Sequence, residues 1–453
     1  MSDPDAVPLP DGGGVLQCRE VIKDLHNDGR WGILLSKITP NGISITNYFY
    51  PISQPAFDAV NASPRCSMVL SHNESFVLIA AAKHDYDARE VVVLKVRISD
   101  GAVIWAKTVA LADYLPDPFD PVLEFQELER AVIVRSYDQS GGASGYTVIA
   151  AGTLDRLAAF KVDSSGALLW QRLFDIPNRV SSTFVQRLST GDAFSYLNQV
   201  YVSATVTETR PSVGADMGYA VVYGLSADTG GLFGTATYTT NEDDQSLTST
   251  HLTPDYAPGT TILRGYYLST NRSRLVTPPQ PPYYIPYFET MDPLVIRASL
   301  SAAFGGIVWN KRIPGSTGIE GIHTTNVALK VLANRPTAFA NVDELSLYTA
   351  TGNLMTGRSI GMGFADRISF NPGNDMNLIS ISAFAGSTTE LGLVTTFENG
   401  NVAPCGFTSS YATVDRTVLW SSQLPSQRLV LPYAGSEAVS MELHSASVID
   451  TCP

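Results

Sequence analysis

The chain has 453 residues, of which 44% are hydrophobic and 16% charged, a balance that argues against intrinsic disorder and provides for a sizeable core. The formal net charge of −13 argues against nucleic acid as a main partner, because a phosphate backbone is bound through clustered Lys and Arg side chains. No run of 18 consecutive apolar residues occurs, so no membrane-spanning helix is expected.

The N-terminal stretch "MSDPDAVPLPDGGG" is polar and rich in Pro and Gly, and residues 1–30 are predicted to form an arm outside the folded unit. A secretory signal is not expected, because the stretch lacks a basic region followed by an apolar one. The sequence leaves the localisation open. Residues 31–453 are predicted to form one folded unit with an inserted loop at residues 277–293.

The stretch "LKVRISDGAVIWAKT", Leu94 to Thr108, has the pattern of a β-hairpin. Apolar and polar residues alternate up to a turn that ends at Gly101, and Trp105 follows the glycine by four residues. The interval from glycine to tryptophan is the same in two other turns, at Gly166 with Trp170 and at Gly305 with Trp309. The same type of turn occurs seven times, at Gly42, Gly101, Gly166, Gly230, Gly305, Gly352 and Gly400.

Two further strand-like runs precede the Gly101 hairpin, "CSMVL" and "SFVLIAAA", so that four consecutive antiparallel strands form one unit. Four-stranded units repeated about seven times predict an all-β fold, a β-propeller of about seven four-stranded blades. The first hairpin lacks two upstream strands, and the tail after Gly400 has spare ones. The ring is therefore predicted to close by the N-terminal hairpin plus the C-terminal strands. A pair of β-sandwiches is the alternative fold.

The turns "DTGGLF", "SSGALLW" and "TGNLM" resemble the tryptophan-docking repeat of pyrroloquinoline-quinone-type (quinoprotein-like) propellers. In that family a Thr/Ser-Gly turn precedes an apolar run that ends in Trp. The resemblance implies that Gly101, Trp105 and their counterparts pack one blade against another. The chain lacks that family's adjacent Cys pair and its C-x-x-C-H haem site, so the resemblance implies no cofactor.

The segment Thr277 to Pro293, "TPPQPPYYIPYFETMDP", is the longest irregular one and combines prolines with aromatic side chains. It is predicted to be an arm that docks onto a partner subunit, because exposed aromatic side chains mark interaction sites. The alternative is that the segment folds back and covers its own propeller. The interaction residues predicted here are Tyr283, Tyr284, Tyr287 and Phe288.

The sequence offers no recognisable catalytic or metal-binding motif. The six His residues are scattered, the acidic clusters do not match a calcium loop, and the nucleophile motif G-x-S-x-G is absent. No catalytic residue, metal ligand or cofactor is therefore assigned. Four cysteines, Cys18, Cys66, Cys405 and Cys452, are too few for a disulfide scaffold and are expected to be free, buried thiols. The alternative is a bond between Cys18 and Cys452 that closes the ring.

These features predict a non-enzymatic, structural or protein-binding propeller in a larger assembly, whose partners are other protein subunits. A component of a virus or phage particle is the preferred form of this hypothesis, because it needs no signal peptide and suits a surface poor in Lys and rich in Ser and Thr. Two alternatives stay open, since a fold does not determine an activity. One is an extracellular carbohydrate-active hydrolase or lyase with its site in the central channel, and the other is a relative of the quinone-dependent dehydrogenases.

Overall fold

Over the described residues the computed structural model is all-β, and the strands there form seven sheets, which confirms the predicted fold class and number of units. From residue 358 onward the backbone alone is described. The structure describes residues 5–10, 14–23, 30–39, 45–53, 66–82, 90–110, 128–152, 156–177, 186–210, 215–240, 242, 244–277, 286–301, 304–325, 328–335, 341–362, 364–371, 376–385, 388–397, 407–408, 414–415, 419–421, 427–429, 434–436 and 442–444.

The main body of the first six sheets consists of four consecutive antiparallel strands, as the repeated unit of the sequence predicts. Sheets 1 and 2 contain β1 (Asp5–Pro8), β2 (Val15–Lys23), β3 (Arg30–Ile38), β4 (Ile45–Ser53), β5 (Ser67–Leu70), β6 (Phe76–Ala82), β7 (Glu90–Arg97) and β8 (Val103–Ala110). Sheets 3 and 4 contain β9 (Leu128–Tyr137), β10 (Ala143–Gly152), β11 (Arg156–Val162), β12 (Leu168–Asp175), β13 (Gln186–Tyr196), β14 (Gln199–Arg210), β15 (Ala215–Ser226) and β16 (Leu232–Thr239).

Sheets 5 to 7 continue the same order along the chain. Sheet 7 has three strands among the described residues. The three sheets contain β17 (Gln245–Tyr256), β18 (Leu263–Val276), β19 (Tyr287–Ser299), β20 (Gly306–Arg312), β21 (Gly318–Thr324), β22 (Leu329–Arg335), β23 (Asn341–Leu347), β24 (Leu354–Met362), β25 (Phe364–Asn371), β26 (Met376–Ala385) and β27 (Thr388–Phe397).

The first strands of the seven sheets form a closed inner ring, because each contacts the first strand of the next sheet and β25 contacts β1. The fourth strands are therefore outermost, and the sheets radiate from a central channel. This arrangement defines a β-propeller of seven blades. Successive connections of an antiparallel sheet alternate between its two ends. The tight turns between first and second and between third and fourth strands thus share one face, called here the turn face, and the other connections share the loop face.

The core is divided among the joints between neighbouring sheets, and five apolar clusters fill the five joints from sheets 1 and 2 to sheets 5 and 6. β6 shows how the sequence supplies both sides of a sheet. Val77 and Ile79 pack toward sheet 1, whereas Leu78 and Ala80 pack toward sheet 3. Successive side chains of a strand point to opposite faces, so a sheet buried on both faces needs a continuous apolar run such as "FVLIAAA".

The N-terminal residues differ from the predicted arm at 1–30, because β1 and β2 are the two inner strands of sheet 1. Asp5 is buried and its carboxylate accepts a hydrogen bond from the Met68 amide of sheet 2 at 2.8 Å. Leu16 and Cys18 are buried in the joint with sheet 2. Pro8 is compatible with this position because β1 is an edge strand, where a missing N–H leaves no neighbour unpaired.

The C-terminal residues form six short strands that each add a fifth strand to the outer edge of a different sheet. Sheet 1 thus combines strands from both ends of the chain, as predicted, but its four main strands all come from residues 5–53. We call the six strands the rim belt, and their order runs from sheet 6 back to sheet 1. They are β28 (Phe407–Thr408), β29 (Val414–Asp415), β30 (Leu419–Ser421), β31 (Gln427–Leu429), β32 (Ala434–Ser436) and β33 (Glu442–His444).

Candidate protein-interaction site

The second and third strands of sheet 5 extend past their neighbour on the loop face. β18 and β19 pair from Gly265 opposite Ser299 to Val276 opposite Tyr287. The fourth strand, β20, reaches only to Leu294 of β19. The seven residues of β19 before Leu294, about 20 Å of extended chain, therefore lack a partner on β20, and the first five of them, Tyr287 to Met291, pair with β18. On its other side β18 pairs with β17 as far as Arg274, so only the last residues, Tyr287 and Phe288 opposite Val276 and Leu275, form a two-stranded end. This part of β18 and β19 is called here the sheet 5 ribbon.

Two of the four predicted interaction residues lie at the end of this ribbon. Tyr287 and Phe288 begin β19, and 53% and 45% of their surfaces are exposed. Because they are consecutive in a strand, their rings lie on opposite faces of the ribbon. Tyr283 and Tyr284 lie outside the described residues. The predicted loop at 277–293 is thus shorter than expected, because the residues from Tyr287 to Pro293 belong to a strand.

Charged groups beside the two aromatic residues make the ribbon end acidic. The Arg274 guanidinium donates a hydrogen bond to the Asp244 carboxylate at 2.6 Å, and this bond raises the pKa of Arg274. Glu242 and Glu289 act on the same guanidinium and raise its pKa further. One cation is thus surrounded by three carboxylates. A protein surface that covers this end would have to offer apolar contact to two rings and positive charge to the carboxylates.

The base of the ribbon is hydrogen-bonded to the neighbouring sheet, so the ribbon keeps a fixed orientation relative to that sheet. The Asn271 side-chain oxygen accepts a hydrogen bond from the Ile319 amide of sheet 6 at 2.7 Å. The Asp292 carboxylate accepts a bond from the Gly315 amide at 3.0 Å and lies 3.4 Å from the Arg312 guanidinium. An interface on such a support loses little conformational entropy on binding.

A buried carboxylate holds the other end of sheet 5 together. Asp255 of β17 is 3% exposed and pairs with Arg264 at 2.9 Å and with Arg297 at 2.8 Å. The Tyr267 hydroxyl donates to the same carboxylate at 3.0 Å and lies 3.3 Å from the Thr349 carbonyl of the next sheet. Burial and the negative charge of Asp255 raise the pKa of Tyr267. This cluster ties three strands of sheet 5 to the turn of sheet 6.

On the turn face, each of the three predicted tryptophans packs against the turn glycine of the next sheet. A Cβ at Gly166 would lie 3.0 Å from the Trp105 ring, and one at Gly230 would lie 2.7 Å from Trp170. Trp309 is equally close to Gly352. Each indole N–H donates to a carbonyl of the same turn, at 3.1 to 3.2 Å. The Trp side chains thus lie in the joints between sheets, and we propose that they are structural.

Two other joints reach the same packing with different residues. Between sheets 1 and 2, the ring of Tyr48 lies under Gly101 and the Tyr50 hydroxyl donates to the Gly101 carbonyl at 2.8 Å. Between sheets 4 and 5, Gly234 occupies the position that Trp has elsewhere. The Phe304 ring of sheet 5 fills the space, and a Cβ at Gly234 would lie 2.4 Å from it. The turns at Gly42 and Gly400 lie outside the described residues.

The inner strands bring three polar side chains together that no sequence motif connects. The Asp192 carboxylate of β13 lies 3.1 Å from the Arg130 guanidinium of β9 and 3.0 Å from Nδ1 of His251 of β17. Their side chains are 11 to 13% exposed. One carboxylate thus bridges three successive sheets near the channel. A glycosidase mechanism needs two carboxylates at a defined separation, and this cluster supplies one that is already bound to two nitrogen groups.

Other predicted features can be placed in part. Cys18 and Cys66 are buried, and Cys405 and Cys452 lie outside the described residues. Within the described ranges, no group of three or more His, Cys, Asp or Glu side chains is placed to hold a metal ion. In the same part of the chain no helix is long and apolar enough to cross a membrane.

The comparisons with known proteins concern the fold alone. No protein-family model and no curated protein sequence matches this chain. Its structure is similar to the Dos1 propeller, with 9% identity over 84% of this chain and 80% of that one and a TM-score of 0.43. It is similar to a Synechocystis apocarotenoid oxygenase, with 13% identity over 93% of this chain and 95% of that one and a TM-score of 0.45. A quinohemoprotein alcohol dehydrogenase from Comamonas testosteroni gives 11% identity, 85% and 72% coverage and a TM-score of 0.37.

Proposed function

We propose that this protein is a non-enzymatic, protein-binding β-propeller that acts as a subunit of a larger assembly. The observation that carries the proposal is the sheet 5 ribbon, whose end presents Tyr287 and Phe288 to solvent on a firmly anchored support. Aromatic side chains that protrude from a rigid element are typical anchors of protein interfaces. The partner surface is a protein face with apolar pockets and a basic rim.

Within this class, a component of a virus or phage particle is the form we propose. The support is compositional: only 8 of the 30 basic residues are Lys, the residue type that is depleted at protein interfaces, and such a composition suits a subunit that packs among other proteins. Recovery of the protein in purified particles would support this form. Its absence from such particles, together with recovery in another complex, would leave the binding function and remove the virion role.

The test of the binding function uses the full chain expressed in its own genetic context and analysed by size-exclusion chromatography with light scattering. The unaltered protein should elute in a high-mass complex, and the double variant Tyr287→Ser with Phe288→Ser should elute at the monomer mass. The control is Ile262→Ser, which alters a side chain 62% exposed in the turn-face loop of the same sheet. Complex formation by the double variant, or a monomeric unaltered chain, would disprove the proposal.

A further inference from the structure

The rim belt pairs with the propeller at the same position in all six sheets. In each sheet, the residue seven positions after the turn glycine lies opposite a belt residue. The six belt residues at these pairs follow one another at intervals of seven positions along the tail. The pairs are Ser359 with Phe407, Arg312 with Val414, Thr237 with Ser421, Leu173 with Arg428, Thr108 with Gly435 and Phe49 with Glu442.

This register shows that the rim is a series of equivalent strand-binding sites. Seven residues of extended chain reach about 23 Å, so the tail advances by one sheet for every seven residues. The belt residues at the six paired positions are Phe407, Val414, Ser421, Arg428, Gly435 and Glu442, which share neither charge nor size. The binding is therefore carried by backbone pairing, as in other cases of strand addition to a sheet edge.

From this we infer that the rim of one copy is a binding surface for the C-terminal segment of a second copy. Because the bonds are made by the backbone at a repeated register, a tail from another copy makes the same contacts as the chain's own tail. The segment forms only two or three residue pairs with each sheet. It can leave one edge at a time without opening the propeller.

The exchange needs no surface beyond those that the structure already shows. An outer strand whose belt strand has left presents unpaired N–H and C=O groups, which are a template for another strand. Six weak sites on one segment bind with high avidity once the first is occupied. Copies held close together, as in an assembly, therefore share tails, which is the general route to exchange of identical elements between protomers. This inference does not depend on the sheet 5 ribbon.

The pair Thr237 and Ser421 offers a direct test, since both side chains are small and the two residues are directly opposite. The Cα atoms of directly opposite residues in an antiparallel pair are about 4.5 to 5.5 Å apart, a separation that a disulfide can span. One tagged copy of the full chain carries Thr237→Cys, and a second copy with a different tag carries Ser421→Cys. The two are co-expressed and also mixed after purification, then oxidised, and the bond between positions 237 and 421 is identified by mass spectrometry of the cross-linked peptide.

We expect a mixed disulfide dimer in the co-expressed sample, several-fold above the dimer formed by either single variant with its native cysteines. The double variant in one chain is the register control and should form the same bond within the chain under dilute conditions. Each variant is first checked for an unchanged far-UV β signal and thermal midpoint. The inference is overturned if the bond forms only within the double variant, which makes the belt a purely internal strap. It is also overturned if the bond forms in neither arrangement, which removes the register itself.

Discussion

At the residue scale, the Trp side chains of the turn face allow the role of a single joint to be measured. Trp170 is 6% exposed, packs on Gly230 and donates its N–H to the Ala227 carbonyl at 3.1 Å. Trp170→Ala should lower the free energy of unfolding by about 3 to 5 kcal/mol, the usual cost of an emptied aromatic site. Equilibrium denaturation in urea measures it.

The neighbouring residue supplies the matched control for that change. Leu169 is 50% exposed, so Leu169→Ala should stay within about 0.5 kcal/mol of the unaltered protein. Trp170→Phe keeps most of the packing and loses the N–H donor, and an intermediate loss of about 1 kcal/mol is expected. Equal effects of the changes at 169 and 170 would show that the indole is not a joint residue.

A second residue-scale prediction concerns acid stability. Burial lowers the pKa of His72 and outweighs the hydrogen bond to the Gly145 carbonyl, 3.1 Å from Nε2, which raises it; the positive charge of Arg135 lowers the pKa further. The unfolded chain therefore binds a proton near the ordinary pKa of 6.5, whereas the folded one binds it at lower pH. The free energy of unfolding should be constant above that value and fall as the pH decreases through it, until the folded-state pKa is passed.

His72→Gln should make the free energy of unfolding less dependent on pH below 6.5, because Gln retains an N–H donor toward Gly145 and does not titrate. Thermal midpoints of the two proteins between pH 5 and 7.5 provide the comparison. Parallel curves for both would assign the acid sensitivity to other groups.

Residue types with a strict geometric role could be predicted from the sequence, whereas their exceptions could not. Gly101, Gly166 and Gly230 have φ values between +68° and +84°, a conformation that favours Gly and makes the turn visible in the sequence. Gly234 and Phe304 reverse the usual arrangement, since the ring comes from the next sheet. Asp192 lies close to Arg130 and His251 because the propeller places the first strands of three successive sheets side by side. No linear spacing in the sequence therefore indicates that cluster.

At the element scale, strands with an apolar run were predictable and strands without one were not. β6 and β7 contain the continuous apolar runs "FVLIAAA" and "VVVL", which follow from burial on two faces. β1 has four residues and ends in Pro8, so it has no such signal. The strands of the rim belt have two or three residues and no shared side-chain property, because their repeat lies in backbone pairing.

The two ion pairs of sheet 5 lead to an element-scale prediction. Asp255→Asn leaves the cations Arg264 and Arg297 without their shared carboxylate and should lower the free energy of unfolding by about 3 kcal/mol. The control is Asp244→Asn, which breaks an exposed pair with Arg274 and should cost at most about 1 kcal/mol. Urea denaturation at neutral pH compares the two. A larger loss at position 244 would contradict the assignment of Asp255 as the structural carboxylate.

At the scale of the whole molecule, the ring is closed by two different devices. Sheet 7 packs against sheet 1 through β25 and β1, without a strand that belongs to both sheets among the described residues. The rim belt joins sheets 6 to 1 from the outside and ends on β4. The sequence predicted that both chain ends take part in closure, but the number of spare C-terminal strands could not show that each belongs to a different sheet.

If the belt supports closure, breaking its last strand should weaken the outer edge of sheet 1, formed by β4, before the edge of any other sheet. Leu443 lies opposite Tyr48 in the middle of β33, and Leu443→Pro removes an N–H and disfavours the pairing. Amide hydrogen exchange in β4 should become roughly tenfold faster, equivalent to a loss of about 1.4 kcal/mol. Leu429→Pro makes the change at the equivalent position of β31, opposite Arg172, and should accelerate exchange in β12 alone. Identical exchange patterns for the two variants would mean that the belt acts as one unit, because local pairing would then not determine which sheet opens.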